Sequence, residues 1–170
     1  MSMCRKQYCV ANWKMNFTIS DVKLFMSEWK NKSLNNSHIE TIFCPSFTEL
    51  NATAELLKNT TSKLGAQNVS NYSKGAFTGE ISGSMLKSIG VNNVILGHSE
   101  RRTYFNETDE MLAKKVDLAL SKGLRIIFCF GEGLNDRKAG LENSIVKEQI
   151  KNALFHLPAT AWDQIVLAYE

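Results

Sequence analysis

The 170-residue chain predicts an α/β fold built on one parallel sheet with helices on both faces. Three observations carry this. Short apolar runs alternate with helical patterns along the whole chain. The apolar runs are continuous rather than alternating with polar residues, the pattern of strands covered on both sides. The turn after the first run, Ala11-Asn-Trp-Lys-Met-Asn16, contains no glycine, whereas an open doubly wound sheet usually carries G-x-G-x-x-G there. An open sheet and a (β/α)8 barrel cut short both fit these residues.

Residues 8–13 form the first apolar run. Thr18-Ile-Ser-Asp21 reads as a capping box, followed by Val22, Phe25, Met26 and Trp29 at helical spacing. Residues 41–44 give a second strand, stopped by Pro45. Ser46-Phe-Thr-Glu49 is a second capping box, with Leu50, Ala54 and Leu57 on one face. Residues 63–67 are a weaker third strand. A polar loop over 68–80 leads to a short helix near 84–89 and a fourth strand over 93–96. Residues 108–122 form a strong helix whose Met111, Leu112, Val116, Ala119 and Leu120 face inward, with Gly123 suited to its C-terminal cap. Residues 124–130 are the fifth strand. Residues 144–155 are a helix with apolar Ile145, Val146, Ile150 and Leu154, and 165–169 are the sixth strand. The expectation is six strands, each of the first five followed by a helix, in one domain spanning residues 1–170.

Composition narrows the function. The net charge of +3 comes from scattered lysines, which argues against nucleic acid as a partner. No run approaches the roughly 18 apolar residues needed to span a bilayer. Met1-Ser-Met-Cys-Arg-Lys6 has no apolar stretch behind it, against a signal peptide, so a cytoplasmic protein is expected. Cys4, Cys9, Cys44 and Cys129 show no C-x-x-C spacing and read as reduced, mostly buried thiols. No cysteine and histidine pair has metal-ligand spacing and no cofactor motif is present, so neither metal nor cofactor is expected.

The chemistry-bearing residues fall at strand tips. Asn12 and Lys14 follow the first strand, His98 the fourth, and Glu170 the five apolar residues of the sixth. A carboxylate, a histidine and a lysine so placed suit proton transfer on an anionic substrate. Each has a plainer reading: a solvated glutamate, a structural histidine, a surface lysine, a turn asparagine. His98 is the sharpest, because Gly97 precedes it and Ser99-Glu100-Arg101-Arg102 reads as a helix start, which disfavours imidazolium.

Ala11-Asn-Trp-Lys-Met-Asn16, Gly65-Ala-Gln-Asn68, Gly75-Ala-Phe-Thr-Gly-Glu80, Ile95-Leu-Gly-His-Ser-Glu-Arg-Arg102, Ile127-Phe-Cys-Phe-Gly-Glu132 and Val166-Leu-Ala-Tyr-Glu170 together resemble the triosephosphate isomerase family in order and spacing. The resemblance implies a (β/α)8 TIM barrel, of which the chain supplies strands 1–6 and helices 1–5. It also implies interconversion of dihydroxyacetone phosphate and glyceraldehyde 3-phosphate, chemistry that depends on tuned acid and base groups. Glu170 is then the base, His98 a neutral hydrogen-bond donor to the carbonyl, and Lys14 the electrostatic anchor. Asn12 orients substrate, Glu100 pairs with the lysine, Ser99 hydrogen-bonds nearby, and Cys129 supports the base by packing. The loop tip 75–79, with Phe77 and Thr78, would insert beside Met15 of a second subunit in a homodimer, and Glu80 would pair with Arg101.

A barrel of this type runs to about 250 residues. The resemblance therefore implies a partner C-terminal segment with the mobile lid, the last two βα units and the phosphate-binding backbone. A non-catalytic barrel fragment lacking the phosphate site is the alternative to an isomerase.

Overall fold

The computed structural model describes residues 6–32 and 38–170. Cys4 lies outside these residues. Six parallel strands pair in chain order: β1 (Gln7–Asn12), β2 (Ile39–Cys44), β3 (Lys63–Ala66), β4 (Asn93–Leu96), β5 (Arg125–Phe130) and β6 (Ile165–Tyr169). Among the described residues seven α-helices connect them: α1 (Ile19–Lys32), α2 (Leu50–Leu57), α3 (Gly83–Ser88), α4 (Ser99–Tyr104), α5 (Asp109–Ser121), α6 (Leu134–Lys138) and α7 (Glu142–Leu154). As expected, a helix follows each of the first five strands; β4 and β5 are each followed by two, α4 from the helix start at Ser99 and α6 as an addition. The extra helix α6 has five residues and no side-chain cap, too short for a periodic signal.

The sheet is curled. In a flat sheet the first and fifth strands would stand about 19 Å apart, at roughly 4.8 Å per strand. Yet the Arg125 guanidinium of β5 lies 5.7 Å from the centre of the Tyr8 ring of β1, and Arg125 donates to Glu40 of β2 at 2.6 Å. Residues alternate across the strands accordingly. Ile42, Cys44, Ile95, Ile127 and Cys129 share the concave side with Tyr8, Val10 and Ala168. The convex side sends Phe43, Leu64, Ala66, Val94, Leu96, Ile126 and Phe128 into the larger core with α1, α2, α5 and α7. This curvature selects the partial barrel over the open sheet.

Local signals hold where chemistry is local. Thr18 and Asp21 close the first capping box in both directions, with the Thr18 N–H donating to the Asp21 carboxylate at 2.9 Å. Gly123 takes φ +66° after α5, whose start is capped by Thr108. The second box is corrected: Ser46 meets Glu49 through their side chains, but a 3-10 turn (Phe47–Glu49) precedes α2. Cys9 is the exception to the mostly buried cysteines. Tyr8 and Val10 turn to the concave side, so strand alternation puts Cys9 on the convex side, where it is exposed, while Cys44 and Cys129 are buried free thiols. Among the described residues no helix is long and apolar enough to cross a membrane.

Candidate active site

Asn12, Lys14, His98 and Glu170 collect at one rim, the C-terminal ends of β1, β4 and β6. Parallel pairing alone requires this, because every strand points the same way. Lys14 leaves β1 in a left-handed turn, φ +53°, and its N–H donates to the Asn12 side-chain oxygen at 3.0 Å. Asn12 therefore shapes the turn that presents the lysine. The Lys14 ammonium crosses the curl to Glu100 at 2.7 Å. That hydrogen bond and its charge raise the lysine above its ordinary range, and the same bond holds Glu100 below the usual carboxylate range.

His98 occupies the N-cap position of α4. Its Nδ1 accepts the Glu100 backbone N–H at 3.2 Å, so the proton of the neutral ring sits on Nε2. Nε2 faces the Glu170 carboxylate at 3.0 Å. The other Glu170 oxygen accepts the Ser99 backbone N–H at 2.8 Å. Ser99 thus contributes through its main chain.

Two close approaches set this geometry. A Cβ on Gly97 would lie 2.5 Å from the Cys129 carbonyl, and one on Gly131 would lie 2.2 Å from the Glu170 carbonyl. Arg102 fixes the first by donating to the Gly97 carbonyl at 2.8 Å while holding Asp109 at 2.6 Å. The Glu170 N–H is tied to the Phe130 carbonyl at 2.9 Å. Tyr169 is held by Glu132, whose carboxylate accepts its hydroxyl at 2.7 Å and Arg137 at 2.7 Å. Cys129 lies close enough to Glu170 for its thiol to feel the carboxylate. Burial first, and then that charge, push the thiol up to about 12, so it packs rather than reacts.

Away from this cluster, Met15 is 94% exposed. Residues 71–80 form an exposed loop with internal order. The Ser70 N–H closes its base on the Ile81 carbonyl at 2.9 Å, and the rings of Tyr72 and Phe77 stack at 3.8 Å. Thr78 is exposed on the same tip. The expected Glu80–Arg101 pair is replaced within the chain: Arg101 donates to Glu107 at 2.6 Å.

Sequence reasoning missed the group behind that pair. Lys115, 3% exposed, donates to Glu107 at 2.5 Å and to Asn68 at 2.8 Å. Burial lowers its ammonium from the ordinary range against the pull of Glu107. A lysine between Leu112 and Val116 on the apolar face of α5 was the available signal. Among the described residues no group of three or more His, Cys, Asp or Glu side chains is arranged to hold a metal ion.

A family model described as triosephosphate isomerase matches residues 7–170, from the start of β1 to the glutamate that faces His98. The chain belongs to the triosephosphate isomerase family. Among its curated relatives, the triosephosphate isomerase of Flavobacterium johnsoniae is 48% identical over 166 residues, covering 98% of this chain and 66% of the relative. That of Alkaliphilus oremlandii is 45% identical with the same coverage. That of Dictyoglomus thermophilum is 42% identical and is covered to 67%. The chain thus spans about two thirds of the length of these isomerases, and the fold expectation of a partial TIM barrel agrees with the curled six-stranded sheet.

Proposed function

We propose that the protein at its natural full length interconverts dihydroxyacetone phosphate and D-glyceraldehyde 3-phosphate by proton transfer through an enediolate. The observation that supports this most is the arrangement of three groups at one rim: a carboxylate (Glu170), an imidazole N–H (His98 Nε2) and an ammonium (Lys14). Glu170 removes a proton from the carbon next to the carbonyl. The electron pair forms the carbon–carbon double bond as the carbonyl π pair moves to oxygen. His98 donates its Nε2–H to that oxygen, and the Lys14 charge opposes the negative charge that develops there. The same carboxyl then returns the proton to the former carbonyl carbon, while the hydroxyl proton of the first carbon passes to the other oxygen by way of His98 Nε2, so that the first carbon becomes the new carbonyl and the histidine regains its proton. The oxidation level is unchanged, so the reaction calls for no redox cofactor.

Glu170 accepts from His98 Nε2 and Ser99 N–H. A substrate carbonyl takes over the Nε2–H, and the carboxylate turns from these donors to the carbon. Asn12 supports Lys14 and contributes to substrate orientation, and Glu100 keeps the ammonium in place between turnovers. Cys129 packs beneath the base.

The proposal extends to a homodimer in which the loop tip with Phe77 and Thr78 covers Met15 of the partner. Its support is an ordered but exposed loop and an apolar side chain left in water. Glycolysis and gluconeogenesis in the cytoplasm are inferred from the family alone. A coupled spectrophotometric assay of the purified full-length protein tests the activity: turnover of either triose phosphate in both directions is expected, and its absence would sink the proposal.

A further inference from the structure

We infer that Gln67 is a positioning residue for Lys14, acting by clamping the main chain of the left-handed turn that carries it. The left-handed region is disfavoured for a lysine, so something must hold the turn. Three side chains from three places in the chain do so. Asn12 accepts the Lys14 N–H, Glu100 receives the ammonium, and the Gln67 amide nitrogen donates to the Lys14 carbonyl at 2.8 Å. The same Gln67 nitrogen donates to the Cys44 carbonyl at 2.9 Å, and the Cys44 carbonyl also accepts the Trp13 N–H at 3.1 Å. Both partners of the amide are carbonyls, which fixes its orientation, since only the nitrogen end can donate.

Gln67 itself has a rigid base. It follows β3 directly, and its neighbour Asn68 is buried and held by Lys115. One amide group therefore joins the end of β2, the turn after β1 and the root of the loop that carries Phe77. Glu100 and Asn12 fix the head and the N–H of Lys14, but neither touches its carbonyl. Without Gln67, the turn loses the hydrogen bond that holds that carbonyl, and the ammonium is free to shift by fractions of an ångström.

The inference deepens the isomerase reading and rests on it for its kinetic consequence. The test uses Gln67→Met, which keeps length and bulk but removes both N–H donors, and Gln67→Lys, whose ammonium can donate to both carbonyls. Both are made in the full-length protein. Lysine-selective ¹³C labelling reads the Lys14 Cα and Cβ shifts, which report its backbone angle whether or not the protein is active. In Gln67→Met these shifts should leave the left-handed range and kcat/KM should fall about tenfold, since small misplacements of a catalytic group cost up to roughly a hundredfold. In Gln67→Lys both should return toward the parent values. An inactive parent, with Lys14 shifts that are displaced in Gln67→Met, would support the clamp and sink the isomerase reading. Unchanged Lys14 shifts in both variants would overturn the clamp. A lowered melting temperature with unchanged kcat/KM would likewise overturn it, because it would make Gln67 part of the scaffold only. Should Gln67→Met fail to fold, Gln67→Lys decides alone: parent-like shifts and kcat/KM support the clamp, and displaced shifts overturn it.

Discussion

Glu170 illustrates how much of a catalytic group is set by its neighbours. The side chain is a plain carboxylate, but its two oxygens face an imidazole N–H and a main-chain N–H, and its main chain sits against Gly131, where no side chain fits. Reach is therefore fixed to within a fraction of an ångström. Glu170→Asp withdraws the carboxylate by about one carbon–carbon bond, and kcat in the full-length protein should fall by on the order of 10²–10³-fold with little change in KM. Steady-state kinetics with an unaltered kcat would remove Glu170 from the role of base. His98 was legible as a candidate because Gly97 and the helix-start pattern flank it. Its tautomer was not, because that depends on the Glu100 N–H that the folded turn brings to Nδ1.

Helices and loops carry the next layer. The face of α5 was legible from its apolar spacing, and Leu112, Val116 and Ala119 are indeed buried. Lys115 breaks that pattern, because its partners arrive from elsewhere: Glu107 from the turn before the helix and Asn68 from the loop after β3. Breaking one half of a buried charge pair leaves the other uncompensated. Lys115→Met should therefore destabilise the fold by about 3 kcal/mol in urea unfolding. A change within a few tenths would mean that Glu107 is satisfied by Arg101 alone. The loop after β3 makes a different prediction. Its base is closed and its tip stacked, so it is built to present Phe77 rather than to swing. Deleting residues 75–79 should convert a dimer to a monomer in analytical ultracentrifugation and reduce turnover strongly, since the partner's Lys14 turn would lose its cover. An active dimer after the deletion would refute this role.

The molecule as a whole depends on curvature. Groups three strands apart, Lys14 and Glu100, or Glu40 and Arg125, meet only because the sheet bends round. Among the described residues β1 and β6 each pair on one side only, and the convex faces at these two strands leave Cys9 and Leu167 exposed. Open edges and uncovered apolar faces favour association over precise geometry. Residues 1–170 produced alone should thus show no measurable isomerase activity, although Asn12, Lys14, His98 and Glu170 are all present, because such groups must be held within about half an ångström. Near-normal turnover of that polypeptide in a coupled assay would show that six strands suffice to hold the rim.

By itself the sequence determined the order and type of nearly every element, the parallel sheet, the family resemblance, and which residues stand at strand tips. These depend on local periodicity, caps and turn residues, all written within a few positions of one another. The tertiary structure decided what the strand tips do to each other. Curling brings Glu100 to Lys14, and α4 starts where it can cap on His98 and offer Ser99 N–H to Glu170. It also decided the fate of residues whose type gives no hint. Gln67 became a clamp because carbonyls from the turn after β1 and from the end of β2 converge on it, Lys115 went inside because Glu107 waits there, and Cys9 stayed outside because strand alternation points it to the convex face of an edge strand, where nothing among the described residues covers it. Each of these is a meeting between residues far apart in the chain, and long-range contacts leave no periodic trace in a single sequence.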